Sequence, residues 1–371
     1  MVPKERLMSA LHKGKPDRLP VTVHQWQDYH LKNYMDGVSA LQAFEKFGMD
    51  AQIQYFQDMG QFWLVDADLT KCSTDQWRDE VEMISNDPND RVCHHTIQTP
   101  EGTLTYKTRG DQKTTWITEY LIKHDEDIVL IDKYMPVPVF DPEPVEREYD
   151  QLGDRGILRG FVWGDQAGCW QHACCLMDVS ELILRCVDQP DWVHELLNIL
   201  LNKKLRFIAS MKGAKFDLVE TGGGAASSTV ISPSLHKEFC APYDRKMHDA
   251  LHDLGLMVSY HTCGGTRGIE ELIVGNAADA SETLAPVSIG GNQEPWEFKR
   301  KVGNRLAVIG GVDQFNVLTS GTPQEIRTGV HTLFEKVGQA GGYICSASDH
   351  FFDAPAENLR TFAEAAKECV Y

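Results

Sequence analysis

The chain has 371 residues, 42% hydrophobic and 24% charged, an ordinary globular composition with enough sequence to bury a core without disulfide staples. Its 36 basic and 54 acidic residues give a formal charge of −18. No Lys/Arg cluster offers itself to a phosphate backbone and no run of about 18 apolar residues occurs, so neither nucleic acid nor a membrane span is expected.

The opening stretch, MVPKERLMSALHKGKPDR, reads as an amphipathic polar helix rather than a secretory leader. With ten cysteines and no such leader, the expected compartment is the reducing cytoplasm, where thiols are core residues or metal ligands rather than disulfides. Cys174, Cys175 and Cys186 lie in or beside helical patterns and read as small core hydrophobes. The first strand-like run is 19–23, within LPVTVHQWQDYH. His24, Gln25, Trp26 and Tyr29 follow it, and Tyr55, Phe56, Phe62, Trp63 and Trp163 come later. Aromatics gathered at one cavity would suit a flat apolar substrate, although core packing accounts for most such residues.

Residues 91–138 change character. HHTIQTPEGTLTYKTR and TTWITEYLIKH read as antiparallel strands turning at Pro100-Glu101-Gly102, an inserted hairpin lobe over one end of the main unit. Pro136, Pro138, Pro142 and Pro144 mark the return. Beyond them, apolar runs at 156–163, 217–221, 256–261, 279–284, 306–312 and 341–346 alternate with helical spacing at 179–211, 234–254, 265–274, 323–338 and 356–368. Strands apolar on both faces and separated by helices predict a parallel sheet. With some seven or eight strands, the expected fold is a single α/β (β/α)8 TIM barrel spanning 1–371, with an open doubly wound sheet as the alternative.

The sharpest motif is SYHTCGG at 259–265, where a strand ends and its loop begins, the end that carries chemistry in barrels. His261 and Cys263 are two apart and can face the mouth together, offering the imidazole and thiolate that zinc prefers. Cys345 in GGYICSASDHF ends another apolar run and supplies an expected third ligand, leaving one position open as in catalytic zinc sites. A packed core pair is the plain alternative. Glu220, in FDLVETGGG, is either a fourth ligand displaced by substrate or a group that caps or orients a neighbour. The glycines after it lack the Lys-Ser/Thr of a phosphate loop. Asp165, Asp313 and His350 also follow strands and could position substrate or move a proton; for Asp165 and Asp313 a helix cap is the plainer role.

KERLMSALHKGKPDRLPV, ISPSLHKEFCAPYDRKM, HTCGG, GGVD and GGYICS together resemble the uroporphyrinogen decarboxylase superfamily, and within it the zinc methyltransferases that work with corrinoid proteins. The likeness covers most of the chain. It implies zinc held by His261, Cys263 and Cys345 and a cobalamin-type corrinoid carried by a partner protein. HQWQDYH stands where the decarboxylases carry an arginine-rich segment, so decarboxylation is not expected. Two transfers remain: a methyl group from a methoxylated arene to the corrinoid, the first expectation, or from the methyl-corrinoid to a thiol such as coenzyme M. For the first, zinc would act on the ether oxygen, with Glu220, His350 or His24 delivering a proton or orienting the ring. His24, Trp26, Tyr29, Trp163 and Asp313 are the expected substrate contacts. A binding protein that sequesters a corrinoid is a further reading. The inserted lobe is expected to shape the corrinoid protein's docking surface, and a two-fold homodimer is the expected assembly.

Overall fold

A computed structural model describes residues 1–57, 73–164 and 167–371. Among them the strands begin with β1 (Val21–Thr22), β2 (Ala51–Gln54), β3 (Arg78–Asp87), β4 (Asp90–Thr99), β5 (Gly102–Gly110) and β6 (Thr115–Glu119). They continue with β7 (Gly156–Phe161), β8 (Leu218–Gly222), β9 (Val258–His261), β10 (Ala280–Thr283), β11 (Ala307–Val312) and β12 (Tyr343–Ala347). Eight form one parallel sheet in the order β1-β12-β11-β10-β9-β8-β7-β2. Its two ends meet: the Asp50 amide donates to the Val21 carbonyl at 2.7 Å, and the Gln54 side-chain amide donates to the His24 carbonyl at 2.8 Å. The sheet is therefore a barrel ringed by helices, not an open doubly wound sheet.

Strand periodicity divides the residues into an inner and an outer set. Ile157, Leu218, Ala280, Ala307, Ile309 and Ile344 point inward and pack with Leu7, Ala10 and Leu11 of helix α1 (Pro3–Leu11). That helix plugs the end of the barrel away from the strand C-termini. The alternate positions face the surrounding helices: Leu158, Val219 and Val258 in one apolar cluster, and Val21, Tyr260, Val308, Tyr343 and Cys345 in another. Strands covered in this way are apolar on both faces, which is why they stand out as continuous runs.

The remaining strands form a four-stranded antiparallel sheet, β3-β4-β5-β6. Thr99 pairs with Gly102 across a turn at Pro100-Glu101. This sheet starts earlier than the 91–138 segment singled out in the sequence, and Asp127–Tyr134 within that segment is helical. In β3, RDEVEMISND, the residue turned inward is Asp79, which pairs with His95 Nδ1 at 3.1 Å and accepts from the Tyr106 hydroxyl at 3.1 Å. Val81 and Met83 alternate with Glu80 and Glu82 along β3, but both stay exposed. Ile97 and Leu104 seat the sheet on Ile128 and Ile131. Lys113, between β5 and β6, pairs with Asp353 beyond β12 at 2.8 Å and lies 4.8 Å from the Tyr29 ring centroid. The sheet thus reaches the rim of the barrel mouth.

Candidate functional site

Above the apolar plug the inward positions become polar. β7 contributes Arg159, β8 Glu220, β9 His261 and β10 Glu282, all nearly or fully buried. His24 follows β1, and Asp349 and His350 follow β12. A guanidinium inside a barrel needs counter-charge, and Arg159 Nη2 donates to both Glu220 and Glu282. The same carboxylates face His261: Nδ1 lies 3.0 Å from Glu282 Oε1 and 3.3 Å from Glu220 Oε1. Its other nitrogen, Nε2, is buried with no hydrogen-bond partner. Metal-binding histidines show this arrangement, one nitrogen braced by a carboxylate and the other free.

Ligand atoms of His261, Cys263 and Asp349 lie within 4.8 Å of one another. Nitrogen, thiolate and carboxylate oxygen are all zinc donors, so the residues present fit that ion. Cys263 and Asp349 are only partly buried, which leaves the group open toward the mouth. Gly224 explains part of the glycine run: a Cβ there would meet Cys263 Sγ at 2.5 Å. The run provides close backbone approach to the thiol rather than a phosphate cradle.

Electrostatics follow the geometry. Burial lowers the His261 pKa, but Cys263, Glu220 and Glu282 outweigh it and hold the imidazole well above its ordinary value. Burial pushes Glu220 up, against the pull of Arg159. Glu282 goes the other way, because Arg159 and His261 together overcome burial. Asp349 is held at about 2: burial opposes ionisation, but His350, His24 and His261 surround it. Burial pushes His24 and His350 below the ordinary histidine value, against the pull of Glu282 on His24 and of Asp349 on His350.

Cys345 is not where the sequence reading placed it. Ile344 faces the barrel interior, so the next residue faces out. Cys345 is fully buried against Tyr343 and near Cys369, and burial pushes its thiol up to about 12. It belongs to none of the ligand groups found among the described residues. Glu220 lies beside His261 in the Arg159–Glu282 network, and its carboxylate forms a further group of possible ligands with His24, His261 and Glu282, all within 4.8 Å of one another. His24 and His350 do line the mouth, with ring centroids 5.0 Å apart.

The other expected substrate contacts divide. Trp26 is core, packed among Phe44, Phe47 and Phe351. Trp163 is buried against His172. Asp313 caps the segment Gln314–Thr319 through the amides of Phe315 and Asn316. Tyr29 sits at the rim against Phe352 and Lys113. Asp165, Phe62 and Trp63 lie outside the described residues. The sequence reading missed Arg159, Glu282 and Asp349. A charged residue inside the otherwise apolar run GILRGF was the available signal for Arg159, a carboxylate within the short strand ASET for Glu282, and adjacency to His350 for Asp349.

Residues 145–369, more than half of the chain, match the family described as Uroporphyrinogen decarboxylase (URO-D). The chain is 25% identical over 145 residues to a methylated-thiol–coenzyme M methyltransferase of Methanosarcina mazei, covering 39% of this chain and 36% of that protein. It is 24% identical over 184 residues to a methylcobamide:CoM methyltransferase of the same organism, covering 49% and 50%. It is 27% identical over 189 residues to a uroporphyrinogen decarboxylase of Pseudoalteromonas translucida, covering 48% and 49%. The chain thus spans half or less of the length of these curated relatives. A solved structure described as a methyltransferase from Methanosarcina mazei superposes with a TM-score of 0.68 at 17% identity over 99% of both chains, which shows a shared fold. The chain belongs to the uroporphyrinogen decarboxylase (URO-D) family.

Proposed function

We propose that this protein is a zinc-dependent methyltransferase that works with a corrinoid protein, holds its metal through His261, Cys263 and Asp349, and passes the methyl group to a thiol of the coenzyme M kind. The carrying observation is the His261–Cys263–Asp349 group at the mouth, with His261 Nε2 unpartnered and Nδ1 braced by Glu282. Zinc bound there would supply Lewis acidity, favouring the thiolate over the thiol. The chain's own residues do the rest. Glu282 and Glu220, balanced by Arg159, orient the His261 ring. The thiol proton leaves toward the open side of the group, where Cys263 and Asp349 are only partly buried. The four-stranded sheet, which touches the rim through Lys113, contributes to the surface on which the corrinoid protein docks.

The names of two relatives, both coenzyme M methyltransferases, favour the thiol over the methoxyarene that the sequence first suggested. Trp26 and Trp163, expected to flank an arene, lie in the core. Decarboxylation of a porphyrinogen fits poorly, because Asp349 at the mouth would repel the carboxylates of such a substrate. The deciding experiment offers the protein two pairs: methylated corrinoid protein with coenzyme M, and reduced corrinoid protein with a methoxyarene. The expected product is the methyl thioether. Release of a phenol, with no thioether, would reject the thiol reading and restore O-demethylation.

A further inference from the structure

The mouth holds a further group of donor atoms, which includes two histidines that the zinc reading leaves unused. His24, Asp349 and His350 each bring one ligand atom within 4.8 Å of the others. His24 is 5% exposed, and His350 Nε2 is buried without a partner. The two residues come from adjacent places in the barrel wall, since β1 pairs directly with β12 through Val21 and Cys345. Asp349 belongs to both groups, and its Oδ1 is held by the backbone amide of His350 at 2.8 Å. The His24 ring also lies 5.2 Å from the His261 ring, so the two donor groups sit side by side.

A carboxylate has two oxygens and can serve two cations at once. Paired metal sites place their ions roughly 3.5–4 Å apart, a spacing that suits groups sharing one residue. Resting on the zinc reading above, we propose that the mouth binds a second divalent cation through His24, His350 and Asp349, with Asp349 bridging the pair. Two imidazoles and a carboxylate select a first-row ion such as Zn²⁺ or Co²⁺ over Mg²⁺ or Ca²⁺. The two sites differ in one respect that can be read directly: only the first contains a thiolate.

The metal-free full-length protein is titrated with Co²⁺, following bound metal by equilibrium dialysis and thiolate-to-cobalt charge transfer by absorption. Two ions per chain are expected. The first saturates the charge-transfer band, and the second adds only ligand-field absorption. His350→Ala and, separately, His24→Gln should each lower the stoichiometry to one and leave the band intact, with far-UV circular dichroism confirming the fold. His350 is partly exposed, so its variant keeps the test available if the His24 variant fails to fold. A wild-type stoichiometry of one, with the band present, overturns the second site and leaves the first standing. Two ions retained in both variants also overturns it. Absence of the band altogether removes the zinc reading, and this inference with it.

Discussion

At the scale of single residues, the mouth depends on charge balance among buried groups. Arg159 is fully buried and is the guanidinium that faces Glu220 and Glu282. Arg159→Met is expected to destabilise the protein by about 3–5 kcal/mol in urea denaturation, because removing one partner leaves buried carboxylates uncompensated. An unchanged midpoint would mean that those carboxylates are neutral in the folded state. A second test concerns Asp244, which is buried beneath the Tyr260 hydroxyl at 2.9 Å. Burial raises its pKa from 3.8 to about 7, against the opposing pull of Tyr260 and Lys204. The folded protein therefore holds a proton that the unfolded chain releases at lower pH. The contribution of this group to stability is complete below the unfolded value and declines as pH rises through the folded one. Asp244→Asn should flatten that decline and be more stable than the parent above pH 7, as judged by melting temperature across pH. A parallel pH profile in the variant would assign the slope to other groups.

At the scale of elements, the alternation of strand and helix was legible because barrel strands are covered on both faces and appear as apolar runs. The β4–β5 turn was legible from Pro100-Glu101-Gly102. β3 was not, because its one buried side chain is the carboxylate of Asp79, while its alternating Val81 and Met83 are exposed among acidic residues. The site was legible in part for a related reason. His261-x-Cys263 is local, so spacing alone brings the two together. The third member depends on the phase of β12, and placing Cys345 inward required knowing that Ile344, not its neighbour, fills the barrel. Arg159 and Glu282 were hidden for want of any spacing rule linking separate strands. α1 is also an element-scale feature. Leu7 is completely buried in the barrel plug, and Leu7→Ala is expected to cost about 2–5 kcal/mol in denaturant unfolding, the range for emptying a packed core site. A cost below about 0.5 kcal/mol, the level of an ordinary surface substitution, would show that the plug contributes little. The Lys113–Asp353 pair should contribute no more than about 1 kcal/mol in a double-mutant cycle, being substantially exposed. Its importance lies in placing the lobe at the rim.

At the scale of the whole molecule, the barrel separates stability from chemistry. One end is closed by α1 and an apolar layer; the other gathers Arg159, Glu220, His261, Glu282, His24, Asp349 and His350 from strands far apart in sequence. No helix among the described residues is long and apolar enough to cross a membrane. The proposed zinc site turns on which sulfur would meet the metal. The most direct measurement is the charge-transfer spectrum of the cobalt-substituted protein, recorded for the parent, Cys263→Ala and Cys345→Ala. The band is expected in the parent and in Cys345→Ala and absent from Cys263→Ala. Its loss from Cys345→Ala with retention in Cys263→Ala would contradict the centre described above.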